Sequence, residues 1–201
     1  MPTILTEATL PPISLQPPRK RWTREELDAL ERTGLFDGQH LELIAGELFN
    51  KMGKKRPHVN ALLLVVEWLT QVFGTQFVNQ EAPIDVALED NSINEPEPDA
   101  IVLRRKSLEF ISSNPRPEDL QLVIEVSDTT LYLDLKTKAA LYARAGIVEY
   151  WVLDVTSRRI IVHRTPQEGQ YASVAAYGAQ ERIAPLGAPQ SALQVSDVFP
   201  A

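Results

Sequence analysis

The stretch Leu120-Gln-Leu-Val-Ile-Glu-Val126 constrains this chain more than any other. A run this apolar and this short predicts a central β-strand. An ionised carboxylate inside it is costly unless a cation or hydrogen-bond donors meet it. With a side-chain period of two, Leu122, Ile124 and Val126 share one face, while Val123, Glu125 and Ser127 share the other. Glu125 also lies near the strand's C-terminal end, where α/β sheets place their ligands. Two readings of Glu125 stand open: a functional acid, or the partner of a structural arginine or lysine.

The rest of the pattern supplies neighbours for that strand. Thr23-Arg-Glu-Glu26 is a capping box that opens a short helix ending near Gly34. Leu41–Phe49 reads as a strand or strand pair bent at Gly46. A buried helix should run from about His58 to Phe73, with Gly74 ending it. Phe77–Val86 and Asp99–Leu103 read as strands on either side of an acidic loop, Glu89–Pro98. Leu133–Ala145 is helical, with Gly146 as terminator. Glu149–Asp154 and Arg159–Arg164 read as paired strands, followed by Gln170–Ala176. This order predicts a mixed α/β (α+β) domain with a central mixed sheet flanked by helices, spanning residues 22–201. The Pro-rich residues 1–21 read as a poorly ordered tail.

Composition narrows the chemistry. The chain has 201 residues, no cysteine and three histidines (His40, His58, His163), which excludes a disulfide scaffold, a thiolate nucleophile and the usual structural zinc sites. A net charge of −7 argues against coating nucleic acid through bulk charge, although a local basic patch is compatible with it. No apolar run approaches the ~18 residues of a membrane span. The N-terminus lacks the pattern of a signal peptide, so the cytoplasm is the expected compartment and no membrane partner is expected.

Asp99 is a second carboxylate. Pro98 cannot donate to a ladder, so Asp99 should sit at a strand start, where a turn or cap role is the simpler alternative. On the helix after the apolar strand, Leu135, Ala139, Leu141, Tyr142 and Ala145 form an apolar stripe at 100° per residue. Lys138 falls inside that stripe, whereas Lys136 and Arg144 point outward. An inward lysine needs an acidic partner or a route to solvent. That partner is either Asp134, one turn earlier, or Glu125 across the loop. Two carboxylates and a lysine suit a hard divalent cation such as Mg2+, which activates a water and clamps a phosphodiester.

These residues also carry a resemblance. Pro98-Asp99, Ile124-Glu-Val-Ser127, Asp134, Lys138, Tyr142-Ala-Arg-Ala-Gly146 and Glu149-Tyr-Trp-Val-Leu-Asp154 resemble, in order and spacing, the Uma-two family. That family comprises bacterial restriction endonuclease-like proteins of the PD-(D/E)XK nuclease superfamily. Leu41-Glu-Leu-Ile-Ala-Gly-Glu-Leu48 looks like the family's first motif, and His58 matches a histidine often found ahead of its apolar helix. The resemblance covers roughly residues 22–165. It implies a restriction endonuclease-like fold and Mg2+- or Mn2+-dependent hydrolysis of nucleic acid, DNA foremost, by a metal-activated water. It implies Asp99, Glu125 and Glu42 as metal-binding carboxylates and Lys138 as the catalytic lysine. It also implies a homodimer, since many restriction-type nucleases pair two sites to cut both strands. Ser127 departs from the superfamily, which has lysine two residues after the acid; serine supplies no cation, so the role passes to Lys138.

Other residues carry plainer readings. Alternation with Leu41 and Leu43 makes Glu42, by itself, an exposed strand residue. His58 reads as a helix N-terminal residue, Tyr150 and Trp151 as strand core, Asp37 and Asp128 as turn residues. The basic stretch Lys51-Met-Gly-Lys-Lys-Arg56 either grips phosphates or is a solvated loop; Arg19–Arg21 and Arg104–Lys106 are similar. The competing functions are a non-catalytic nucleic-acid or protein interaction module on the nuclease fold, and a phosphodiesterase acting on small nucleotides.

Overall fold

A computed structural model describes residues 19–51 and 53–199. Most of the expected N-terminal tail, residues 1–18, lies outside the described residues.

The chain opens with helix α1 (Arg24–Glu31), whose N-cap Thr23 and Glu26 form the expected capping box. Arg24 then ties α1 to the acidic loop, with Nη2 2.8 Å from Asn91 Oδ1, and to Asp85 just before it, with Nη1 2.7 Å from Oδ1. Strands β1 (Leu41–Ile44) and β2 (Glu47–Asn50) make an antiparallel hairpin around Ala45-Gly46. Gly46 sits at φ +75°, and a Cβ there would stand 2.8 Å from the Arg21 Cβ, so the turn needs glycine.

Helix α2 (Arg56–Phe73) follows, with Pro57 in its first turn and Gly74 at its end. It packs Ala61, Leu62, Val65 and Leu69 against one face of the central sheet. Strand β3 (Val78–Gln80) is shorter than the expected Phe77–Val86. Glu81 turns into a positive φ of 48° and Pro83 cannot donate to a ladder, so the chain leaves the sheet while still burying Ile84 and Val86. The acidic loop contains a single helical turn, α3 (Leu88–Asn91).

The sheet has six strands in the order β3-β4-β5-β6-β7-β8, with β4 (Ala100–Leu103), β5 (Leu120–Ser127), β6 (Glu149–Asp154), β7 (Arg159–Gln167) and β8 (Gln170–Tyr177). All neighbours are antiparallel except β5 and β6. Parallel neighbours need a crossover, and it is supplied by α4 (Ala139–Arg144), entered through a π-helical stretch, Leu133–Lys138. α4 lays Ala139, Leu141 and Tyr142 on the other sheet face, over Val123, Tyr150 and Val152. Strand β5 is therefore covered on both faces, as its near-continuous apolar run requires. Short strands β9 (Arg182–Ile183) and β10 (Leu193–Gln194) pair beyond the sheet. This is the mixed α/β architecture expected from the sequence. Among the described residues no helix is long and apolar enough to cross a membrane.

Candidate active site

Four sequence-selected residues come from four different elements and meet at one end of the sheet. Strand β1 carries Glu42, the position just before β4 holds Asp99, the end of β5 carries Glu125, and the π-helical stretch carries Lys138. All four are buried, as is Asp134. They line a cleft of about 280 Å3 together with Lys54, His58 and Asp134.

Lys138 is the hub. Its Nζ lies 2.7 Å from Glu42 Oε1, 2.8 Å from Glu125 Oε1 and 3.9 Å from Asp134 Oδ1. The two partners weighed from the sequence, Asp134 and Glu125, are thus both present, with Glu125 the hydrogen-bonded one. The π-helical stretch explains how this comes about: a wider turn shifts the phase of the side chains after it, and such turns recur at functional sites. Glu42, which alternation alone would leave exposed, is only 3% exposed. The hairpin folds its carboxylate inward, where the Glu97 N–H donates to Oε1 at 2.9 Å.

Asp99 is held by the strand beside it. One step beyond the Ala100–Ile124 pair it faces Glu125, and its Oδ2 accepts the Val126 N–H at 2.7 Å. Its Oδ1 turns to the cleft and meets Lys54 Nζ at 2.7 Å, with His58 Nε2 at 3.4 Å. That His58 nitrogen is buried and makes no hydrogen bond among the described residues. Glu125 takes the Tyr142 hydroxyl at 3.0 Å on Oε1, and Thr130 donates to Asp134 Oδ2 at 2.7 Å.

The electrostatics follow from too many acids in too little water. Burial raises the Glu125 carboxyl to about 8; Lys138 opposes this, and Asp134, Asp99 and Glu42 reinforce it. Asp134 is raised for the same reason, burial outweighing the Lys138 ammonium. Burial acts in the same direction on Asp99, but there His58 and Lys54 prevail and hold the carboxyl well below its usual range. Burial works against the Lys138 charge, yet Glu125 and Glu42 push its pKa upward, so it stays an ammonium. Four carboxyl groups (Glu42, Asp99, Glu125, Asp134) thus share two close ammonium groups, Lys54 and Lys138, a deficit of cations that Glu125 relieves in part by holding its proton.

That deficit, and an all-oxygen donor set, suit Mg2+ or Mn2+. Glu42 and Glu125 each keep Oε2 without a hydrogen-bond donor among the described residues. Among the described residues no three Asp, Glu or His side chains close into a ready cage. An ion there would be held by Asp99 and Glu125 and completed by water, the usual arrangement for Mg2+.

Lys54 and Tyr142 are the contacts that residue-by-residue reading missed. Lys54 lies within a basic stretch read as a phosphate grip or solvated loop; its place four residues before His58, just ahead of the helix that starts at Arg56, is the available signal. In the structure, Lys51 pairs with Glu97 at 3.7 Å and Lys55 with Asp128 at 3.3 Å, so this stretch faces the acidic site.

The fold is shared with solved proteins. A crystal structure of a "putative nuclease belonging to DUF820" from Anabaena variabilis superposes with a TM-score of 0.61 at 17% identity, covering 79% of this chain and 89% of that one. No curated protein matches the sequence. Residues 24–196 match the family described as "Putative restriction endonuclease", so the chain belongs to the Uma2 family.

Proposed function

We propose that the protein is a divalent-metal-dependent nuclease that hydrolyses phosphodiester bonds of nucleic acid, with DNA as its substrate. One observation carries the reading: a buried lysine from the crossover helix stands within 2.8 Å of carboxylates from β1 and β5, although Ser127 occupies the superfamily's lysine position. Mg2+ or Mn2+ at Asp99 and Glu125 would lower the pKa of a water and offset charge developing on the phosphate. The chain's own residues do the rest. The Val126 N–H and the Tyr142 hydroxyl fix the orientation of the two carboxylates. Lys138 donates to Glu125 and pairs with Glu42, and a remaining N–H would meet the phosphate as negative charge grows there. Cutting both strands of a duplex with one such centre per chain calls for two copies, so the reading includes a homodimer.

Incubation of plasmid with Mg2+ or Mn2+ tests this. Cleavage by the wild type that is lost in both Glu125→Ala and Lys138→Ala is the expected outcome. Equal cleavage by all three would mark a contaminant. No cleavage, with no Asp99-dependent Mn2+ binding, would favour a non-catalytic interaction module.

A further inference from the structure

Lys54 is not built like Lys138. Lys138 is enclosed, 3% exposed along its side chain, hydrogen-bonded to Glu125 and ion-paired with Glu42. Lys54 comes from the connection between β2 and α2, is 24% exposed, and reaches into the cleft from the solvent side to bridge Asp99 and the half-exposed Glu81. Its contact on Asp99 is Oδ1, the oxygen left over once Oδ2 has taken the Val126 N–H. That is the oxygen a cation would use. Mg2+ sits at about 2.0–2.1 Å from a carboxylate oxygen, and an ammonium nitrogen 2.7 Å from the same atom stands in its place. A divalent ion arriving there would meet Lys54 as a like charge at contact distance, and the flexible four-carbon stem allows the ammonium to leave without moving the backbone.

We propose that Lys54 is the exchangeable cation of the site: its ammonium caps Asp99 Oδ1 in the resting protein, and a divalent ion binding there releases it to hold a phosphate oxygen of the substrate strand. The inference rests on the metal-dependent nuclease reading and adds a substrate-binding residue to it. It gives His58 a place as well. The ring lies beside the same Oδ1 with an unpartnered buried nitrogen, so Asp99 keeps a polar neighbour when Lys54 departs. It also keeps the resting charge deficit from growing, since without Lys54 the Asp99 oxygen would face the cleft with no cation.

The test is calorimetric titration of the full chain with Mn2+, comparing wild type, Lys54→Met, Lys54→Gln and Asp99→Asn. A parallel measurement follows the salt dependence of binding to a phosphorothioate duplex, with and without Mn2+. Removing the competing ammonium should tighten Mn2+ binding about fivefold or more in both Lys54 variants. With Mn2+ present, the slope of log affinity against log salt should fall by about 0.9, one phosphate contact, and without Mn2+ it should not change. Unchanged or weaker Mn2+ binding in both variants, or an unchanged slope with Mn2+, overturns the proposal. If wild type binds Mn2+ through Asp99 and only the Lys54 effects are missing, the exchange alone falls. If wild type shows no Asp99-dependent Mn2+ binding, the nuclease reading and the exchange fall together.

Discussion

Lys138 Nζ donates to Glu125 Oε1 at 2.8 Å from thirteen residues further along the chain, across the loop that joins β5 to the crossover helix. The pair is closed off from solvent, so removing Glu125 strands a buried ammonium, and removing Lys138 leaves a buried carboxyl with no cation beside it.

Lys138→Met should therefore destabilise the protein by up to about 3–5 kcal/mol at pH 9, above the Glu125 value of about 8, the cost of stranding a buried partner. The loss should shrink near pH 5, well below the value of about 8 at which Glu125 takes up its proton, because the neutral carboxyl needs no ammonium. Urea unfolding at both pH values checks this; an equal loss at both would contradict the coupling.

The raised Glu125 carboxyl sets a direction for stability against pH. From its ordinary 4.5 up to about 8, the folded chain holds a proton that the unfolded chain has released. Stability therefore falls as pH rises through that interval. Asp99 acts oppositely: its lowered carboxyl contributes stability that is present above its ordinary 3.8 and lost as the medium is acidified below it. Urea midpoints from pH 5 to 8 should decline in the wild type and decline less in Glu125→Gln, where the titrating group is gone.

The same proton should be exchanged for a metal. Mn2+ binding near pH 7 is expected to release about one proton, read as a binding enthalpy that differs between two buffers of different ionisation heat. Buffer-independent enthalpy would mean that Glu125 is already ionised before the ion arrives.

Tyr142→Phe removes the hydroxyl 3.0 Å from Glu125 Oε1 and nothing else. A loss of about 1–1.5 kcal/mol in stability is expected. The pH midpoint of Mn2+ binding should move upward, because the carboxylate loses a donor that favours its charged form. An unmoved midpoint would show that the hydroxyl only packs.

Much of this arrangement was legible in the sequence because its cause is local. The apolar run around Glu125 required burial on both faces, Pro98 put Asp99 at a strand start, and the helical stripe turned Lys138 inward. Their meeting with Glu42 is a tertiary matter, and a family resemblance was needed to select that residue: an acid alternating with leucines looks solvent-facing until a second layer closes over it. The early end of β3 was missed because Ile84 and Val86 are as apolar as strand residues, yet they are buried by loop packing after the backbone has turned at Glu81. The π-helical phase shift at Leu133–Lys138 leaves no mark in a periodicity count over one turn. Nor could composition show that Lys54 in a basic stretch faces inward, because the acids that draw it there lie more than twenty residues away.

The most direct measurement compares wild type and Lys138→Met for Mn2+ binding and duplex cleavage in the same preparation. The expected result is a split: the variant binds Mn2+ at least as tightly as wild type, because a competing cation has gone, while its cleavage rate falls by two orders of magnitude or more, about 2.7 kcal/mol of lost charge stabilisation. Cleavage at the wild-type rate by a folded, Mn2+-loaded Lys138→Met protein would contradict the assignment of this lysine, and with it the proposed centre.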